Sequence, residues 1–561
     1  MYLLVTHLTH VFPVAGRLHS LSPAGQEATR ARPAWHARPV NTPAPWEDPE
    51  RRFGSAMVCT IDSLASRAGI AILGSGGNAA DAAIAANAVL TVTSQHMCGL
   101  GGDLFALVHD GSGPPVCLNA SGRAGSGANP DRLLAEGHGS MPRRGDVRVV
   151  TVPGCIDGWS ALHDRFGSMP LAEVLTPAIA LAEDGFEASP LLVPAAAGVE
   201  GVDGAQDFAG LVQTGQVVGR PGVARLLRAL AVGGRDAVYL GEFGDELLTV
   251  GAGEFTEDDL RRSHVDWVDP LGARVWGHDV WTVPPNSQGY LILAAALIAD
   301  GLDLPREDDP LRAHLLVEAM RQAGHDRPEV LHERADGVSL LAPERLGPRR
   351  STIHPDRRAV LGDTWHDGDT MYECVVDGDG MAVSLIQSNA DGFGSHVTLP
   401  GLGVFLHNRG LGFSLEPGHP ARYGPGRRPP HTLSPALVTR SDGSLRSVLG
   451  TMGADAQPQV VLQMLVRLLL DGASPGHVVG GGRWVLSGGG GGFDTWTDPD
   501  EVEVLLEAHA PETWAHGLTA RGHRARVAPA NYGHAHCIEV VDGGLAGAAD
   551  PRALVGEAAG A

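Results

Sequence analysis

Apolar positions recur at helical intervals over much of the chain and switch to the alternation of strands near residue 370. Residues 62–73 and 79–90 are rich in Ala, Ile and Leu with helical spacing, separated by the turn Gly74-Ser75-Gly76-Gly77-Asn78. Residues 104–109 read as a strand that follows the block Cys98-Gly99-Leu100-Gly101-Gly102-Asp103. Residues 161–346 read as mostly helical, broken at Pro and Gly. Beyond 370, the runs 371–377, 381–388 and 403–408 predict short strands, and 460–470 predicts an apolar helix. The glycine runs 480–482 and 488–492 predict loops without a site. Residues 1–52, rich in Arg, Pro and His and lacking periodicity, predict a disordered N-terminal extension. The best apolar run, 290–299, covers about half a membrane span, so no membrane helix is expected.

Composition narrows the chemistry. The 561 residues hold 42 basic side chains, every one arginine, against 65 acidic ones, for a net charge of −23. Without lysine there is no Schiff base, no Walker A phosphate grip and no Ser–Lys dyad. The acidic balance, with no arginine stripe, argues against nucleic acid. Six scattered cysteines without CxxC spacing read as reduced, buried thiols. The N-terminus carries His7 and His10 and lacks a basic start, which makes a poor signal peptide; the expected location is the cytoplasm.

Three motif matches fail on context. Gly74-Ser75-Gly76-Gly77-Asn78-Ala79 fits G-x-G-x-x-A, but no acidic residue stands about 20 positions on, where a dinucleotide site needs one. Gly472-Ala473-Ser474-Pro475-Gly476 fits G-x-S-x-G, but it follows a helix, and Pro475 removes the amide that an oxyanion hole would use. His534-Ala535-His536 would place two rings on one strand face, yet no acidic partner or HExxH accompanies the pair. No metal or cofactor is expected.

The informative stretch is a hairpin. Strand-like runs flank Gly378-Asp379-Gly380, a strong turn signal. A loop of Gly378-Asp379 sets residue 370 opposite 387, and a loop of Asp379-Gly380 sets it opposite 389. Either register brings Ser388 beside Thr370. A threonine at a strand start beside a serine hydroxyl suits an N-terminal nucleophile, whose freed α-amine, with a reference pKa of about 8, accepts the proton. Spacing alone is better served by a threonine that only opens a strand.

Further blocks add weight: Gly76-Gly77-Asn78-Ala79-Ala80-Asp81-Ala82-Ala83, the Gly-rich block ending at Asp103, and Thr370 with Val375-Val376-Asp377. Downstream come Arg428-Pro429-Pro430-His431-Thr432-Leu433-Ser434-Pro435, Gly450-Thr451-Met452-Gly453-Ala454-Asp455 and Gly547-Ala548-Ala549-Asp550-Pro551-Arg552. From about residue 55 to 552 the chain resembles the γ-glutamyltransferase family of N-terminal-nucleophile hydrolases. The resemblance implies an α/β fold, a four-layer αββα sandwich, made as a precursor that cuts itself between Asp369 and Thr370. A large segment (53–369, after the 1–52 extension) and a small segment (370–561) would then associate as a heterodimer, with a higher oligomer left open, and act without membrane or nucleic-acid partners on a small amide. Thr370 would be the nucleophile, Ser388 its supporting hydroxyl, and the Gly453 and Ala454 amides the oxyanion site. Arg123, Asn389, His431 and Thr432 would bind substrate. The resemblance also exposes departures. The family holds the glutamate α-ammonium with an acidic residue before a Phe-Ser pair, but Gly412 precedes Phe413-Ser414 here. Ala390 stands where an asparagine is usual, and Ser121 aligns with the carboxylate-binding arginine, so that Arg123 is the nearest candidate. Two activities follow: cleavage of γ-glutamyl amides of the glutathione type, or of an acyl group without a free α-amine, such as glutaryl.

Overall fold

The computed structural model describes residues 48–361, 371–487 and 502–561. Helix boundaries follow capping chemistry. Asp62 caps Ser63–Gly74 by accepting from the Leu64 amide at 2.9 Å. Asn78 caps Ala79–Thr93, accepting from the amides of Ala80 and Asp81, while the Asp81 carboxylate accepts from the Asn78 amide. The Gly-rich turn thus ends one helix and starts the next. Ala79–Thr93 is buried on every side, as its all-round apolar composition requires. Ser474 likewise caps Pro475–Gly480, its hydroxyl accepting from the His477 amide.

Fourteen strands form two seven-stranded sheets. In one, the order is Arg51–Phe53, Gly544–Ala549, Ala535–Val541, Leu445–Thr451, Ala436–Thr439, His278–Thr282, Leu271–Val275. In the other it is Glu557–Gly560, Met57–Thr60, Met371–Val376, Ala382–Ser388, Asp103–His109, Val116–Ala120, Asp266–Val268. Three apolar cores separate four layers. Between the sheets lie Cys59, Phe105, Tyr372, Cys374, Ile386, Leu437, Val448 and Ile538. The opposite face of the second sheet, with Val375, Val383 and Leu385, packs on Ser63–Gly74 and Ala79–Thr93. The outer face of the first sheet packs on Tyr290–Asp300, Pro310–Gly324 and Ala456–Leu465. Strand alternation sends Tyr372, Cys374 and Val376 to one core and Val375 to the other, which builds the αββα sandwich directly.

Several expectations are corrected. The hairpin pairs Met371 with Gln387 and Val376 with Ala382, a register between the two expected ones. Its connection is Asp377 to Met381, because the Asp377 carboxylate accepts from the amides of Asp379 and Met381 and closes a longer loop. The same carboxylate accepts from the Ala79 amide at 2.9 Å, at a helix N-terminus. Inside the region read as helical, Asp266–Val268, Leu271–Val275 and His278–Thr282 are strands that feed both sheets. They are short and partly exposed, so no sustained alternation marks them. The run 403–408 keeps only Val404–Phe405 as strand, and 460–470 divides into Ala456–Leu465 and a π-turn over Val466–Leu470. The first sheet begins at Arg51, inside the stretch read as extension. All six cysteines are buried and unbridged. Among the described residues, no helix is long and apolar enough to cross a membrane.

Candidate active site

Strand ends from both sheets converge at one end of the sandwich. Ser388 closes Ala382–Ser388 directly opposite Asp103, which opens Asp103–His109. Thr451 closes Leu445–Thr451 opposite Ala535. Asp369 and Thr370 lie outside the described residues; Met371 opens the strand beside Ser388's own. Ser388 is fully buried, and its hydroxyl accepts from the Ala390 amide at 2.8 Å. Ala390 adopts φ 71°, a left-handed conformation. Asn389 donates from Nδ2 to the Gln95 carbonyl at 3.0 Å, and its buried Oδ1 meets no donor among the described residues.

After Thr451 the backbone turns through two successive left-handed residues, Gly453 at φ 120° and Ala454 at φ 50°. Their carbonyls accept from Ala456 and Gln457, while their own amides donate to nothing among the described residues. Two adjacent open donors suit a developing oxyanion. The Gln288 amide nitrogen donates to the Ala454 carbonyl at 2.9 Å and the Thr432 carbonyl at 3.0 Å, clamping the two expected functional segments together.

Four fully buried side chains complete this wall. Arg409 donates from Nε and Nη2 to Asp103 at 2.9 and 3.4 Å, and from Nη1 to the Thr432 hydroxyl at 3.0 Å. His431 Nδ1 accepts from the Leu433 amide, so Nε2 donates to Asp103 at 2.6 Å. Burial alone would raise the Asp103 carboxyl, but Arg409 and His431 overcome it and hold it well below its usual range. Burial, reinforced by the Arg409 charge, pushes His431 down to about 4. His431 is therefore a neutral donor turned towards Asp103. Its neighbour His407, also lowered to about 4 by burial, accepts from the Arg409 amide.

Arg123 follows the strand Val116–Ala120, whose end pairs with Leu104. Its guanidinium is held by Asp266, Glu333 and the Gly426 carbonyl at 3.0–3.2 Å and is about one-third exposed. The arginine joined to Thr432 is Arg409. Gly412 ends the 3₁₀ turn Arg409–Gly412, and a Cβ there would stand 2.4 Å from the Pro430 carbonyl oxygen. Backbone packing thus closes the position where the resemblance implies an acidic residue.

Three further imidazoles, His96 and His536 buried and His534 half-buried, have buried nitrogens that meet no partner among the described residues: both on His96, Nδ1 on His534 and both on His536. Burial lowers His96 and His536 to about 3 and His534 to about 4. The His534 carbonyl accepts from the Met452 amide, which places this residue beside the Gly453-Ala454 turn. Among the described residues one group could geometrically hold a cation: His314, Glu318 and His523. There His314 Nδ1 and His523 Nε2 already share a 2.8 Å hydrogen bond, Glu318 is paired with Arg321, and the charges of Arg321, Arg358 and Arg521 reach His523. A hydrogen-bonded structural cluster fits that charge pattern better than a metal.

Asp103, Gln288 and Arg409 carry no role in the sequence reading. Asp103 had a signal, as the charged end of a glycine-rich block; Arg409 had a weaker one, as a lone charge in the apolar run 402–415.

Comparison with known proteins accords with this geometry. The family model described as Gamma-glutamyltranspeptidase matches residues 65–560. An oxamate amidohydrolase proenzyme of Klebsiella pneumoniae is 35% identical over 89% of this chain and 97% of its own. A glutathione hydrolase-like YwrD proenzyme of Bacillus subtilis is 34% identical over 88% of this chain and 97% of its own. The crystal structure of a cephalosporin acylase from Bacillus halodurans superposes with a TM-score of 0.84 at 32% identity, covering 93% of this chain and 99% of that one. Fold, strand-end geometry and these likenesses agree, and the chain belongs to the γ-glutamyltranspeptidase family of N-terminal-nucleophile hydrolases.

Proposed function

We propose that this chain is a proenzyme that cuts itself between Asp369 and Thr370 and then uses Thr370 to cleave amides whose acyl group lacks an α-ammonium. In the first step Thr370 Oγ attacks the Asp369 carbonyl; the N→O shift gives an ester, and water releases the new amino terminus. In turnover the freed α-amine takes the Oγ proton, Oγ attacks the substrate amide, and the Gly453 and Ala454 amides hold the oxyanion. The amine leaves with that proton, and water or an acceptor amine resolves the acyl-enzyme. Ser388 aligns Oγ. What supports this is the meeting of Ser388, the oxyanion turn and the start of strand Met371–Val376 at one end of the sandwich.

Gly412 carries the choice of acyl group. Carboxylates beside the site are already held by arginines: Asp103 by Arg409, Asp391 by Arg143 and Asp455 by Arg327. A γ-glutamyl ammonium would be buried without a counter-charge, at a cost of several kcal/mol. The glutathione-type reading, favoured by the family and the YwrD likeness, is therefore second to an amidase or acylase reading, towards which the oxamate amidohydrolase and cephalosporin acylase names also point. Buried, unbridged cysteines support a reducing compartment, the cytoplasm.

Intact mass of the purified protein tests the nucleophile. We expect two pieces, 1–369 and 370–561, and a single piece for Thr370→Ala. A wild-type chain that stays whole and inactive refutes the reading.

A further inference from the structure

We propose that Arg409 is the anchor for a carboxylate carried by the acyl group, so that the substrates are monoamides of short dicarboxylic acids. This rests on the reading of Thr370 as nucleophile.

Arg409 spans the two walls of the site. On one side it is forked onto Asp103, the cross-strand partner of Ser388; on the other it donates to Thr432, whose carbonyl shares the Gln288 clamp with Ala454. The guanidinium therefore lies between the supporting hydroxyl and the oxyanion turn. A guanidinium has five N–H donors. Three are spent on Asp103 and Thr432; one on each Nη atom meets no acceptor among the described residues. The spare Nη2 hydrogen lies on the end of the guanidinium beside Nη1, and donors on both Nη atoms are the set that can take a carboxylate in two hydrogen bonds.

The surroundings fix those donors without cancelling their use. Asp103 grips the inner edge, as a supporting carboxylate commonly does behind a substrate-binding arginine. His431 and His407 are turned by the Leu433 and Arg409 amides so that each donates away from the guanidinium, to Asp103 and to the Thr151 carbonyl. Neither adds charge. A neutral acyl chain would leave two desolvated donors unmet, and an ammonium would face the guanidinium itself; a carboxylate satisfies both donors. The acid must be short, because Asp103 and Ser388 are direct cross-strand neighbours, about 5 Å apart at Cα.

The test compares glutaryl-, pentanoyl- and γ-glutamyl-p-nitroanilide on the processed enzyme. The first two differ only in the terminal carboxylate. We expect kcat/KM for glutaryl to exceed that for pentanoyl on the order of 100-fold, mostly through KM. Arg409→Lys, which keeps the charge but loses the fork, should cut that ratio about tenfold. Because a buried ion pair is touched, a measurement on wild type stands beside the variant: glutarate should inhibit competitively at concentrations where pentanoate does not. Equal use of glutaryl and pentanoyl substrates, or a folded, processed lysine variant that keeps the full ratio, overturns the anchor and leaves the Thr370 reading intact. Failure to self-cleave, or no hydrolysis of any substrate, sinks the Thr370 reading instead. Preference for γ-glutamyl overturns both the anchor and the exclusion of an α-ammonium.

Discussion

Restoring the acidic residue at position 412 should not restore γ-glutamyl recognition. A Cβ at 412 would stand 2.4 Å from the Pro430 carbonyl oxygen, where ordinary contact begins at 3.4 Å, so the two backbone segments must part by about 1 Å. The Pro430 segment is not free to yield. Asn286 donates from Nδ2 to the Pro429 carbonyl at 2.7 Å and accepts the His431 amide on its own carbonyl at 2.8 Å. Displacement therefore passes to His431 and Thr432, the residues that hold Asp103 and Arg409. Overpacking of this kind costs about 1–3 kcal/mol. Gly412→Asp should melt at lower temperature than wild type and show no hydrolysis of γ-glutamyl-p-nitroanilide. Gly412→Ala separates sterics from charge: it carries the same Cβ and should lose comparable stability. If Gly412→Asp melts with wild type and gains γ-glutamyl hydrolysis, the close approach is not what excludes the acid, and the argument fails.

Two further outcomes follow from the site and its hairpin. His96, His407, His431, His534 and His536 are neutral in the fold, with pKa values of about 3 to 4 against an ordinary 6.5. Stability is therefore full above pH 6.5 and is lost as pH falls towards 4, because the unfolded chain takes up protons first; at pH 5 each costs about 2 kcal/mol. Urea melts at pH 7.5 and 5.0 should show a large fall in midpoint, and equal midpoints would contradict it. Asp377→Ala removes acceptors for Asp379, Met381 and the helix-starting Ala79 amide, and should cost about 2 kcal/mol in a thermal or urea melt.

The layers were legible where one physical signal dominated. Ala79–Thr93 is apolar all round and has a capping box, so composition and cap agree. The hairpin was legible in place but not in register, because the Asp-Gly signal specifies a turn and not that the Asp377 side chain lengthens it. Strands 266–282 were hidden because they are three to five residues long and only four of their 13 residues are buried. The candidate site divides the same way. Backbone turns with motif glycines were readable, whereas Arg409 owes its place to Asp103, 306 residues away in sequence, a proximity that no local pattern encodes. Arg123 is the nearest arginine in sequence to the aligned position, Ser121, and its ion pairs with Asp266 and Glu333 come from equally remote segments.

Strand order gives self-cleavage a mechanical meaning. In the sheet containing Met371–Val376, strands from before and after residue 370 run small, large, small, small, large, large, large; in the other, Arg51–Phe53 and the pair Leu271–Val275 and His278–Thr282 flank four strands from the small segment. Once the bond before Thr370 is cut as proposed, neither piece holds a complete sheet. The native protein loses one covalent link and keeps its cores, but the unfolded state becomes two molecules. Refolding would then depend on concentration, and the mature enzyme would persist by the slowness of its unfolding, not by reversible return.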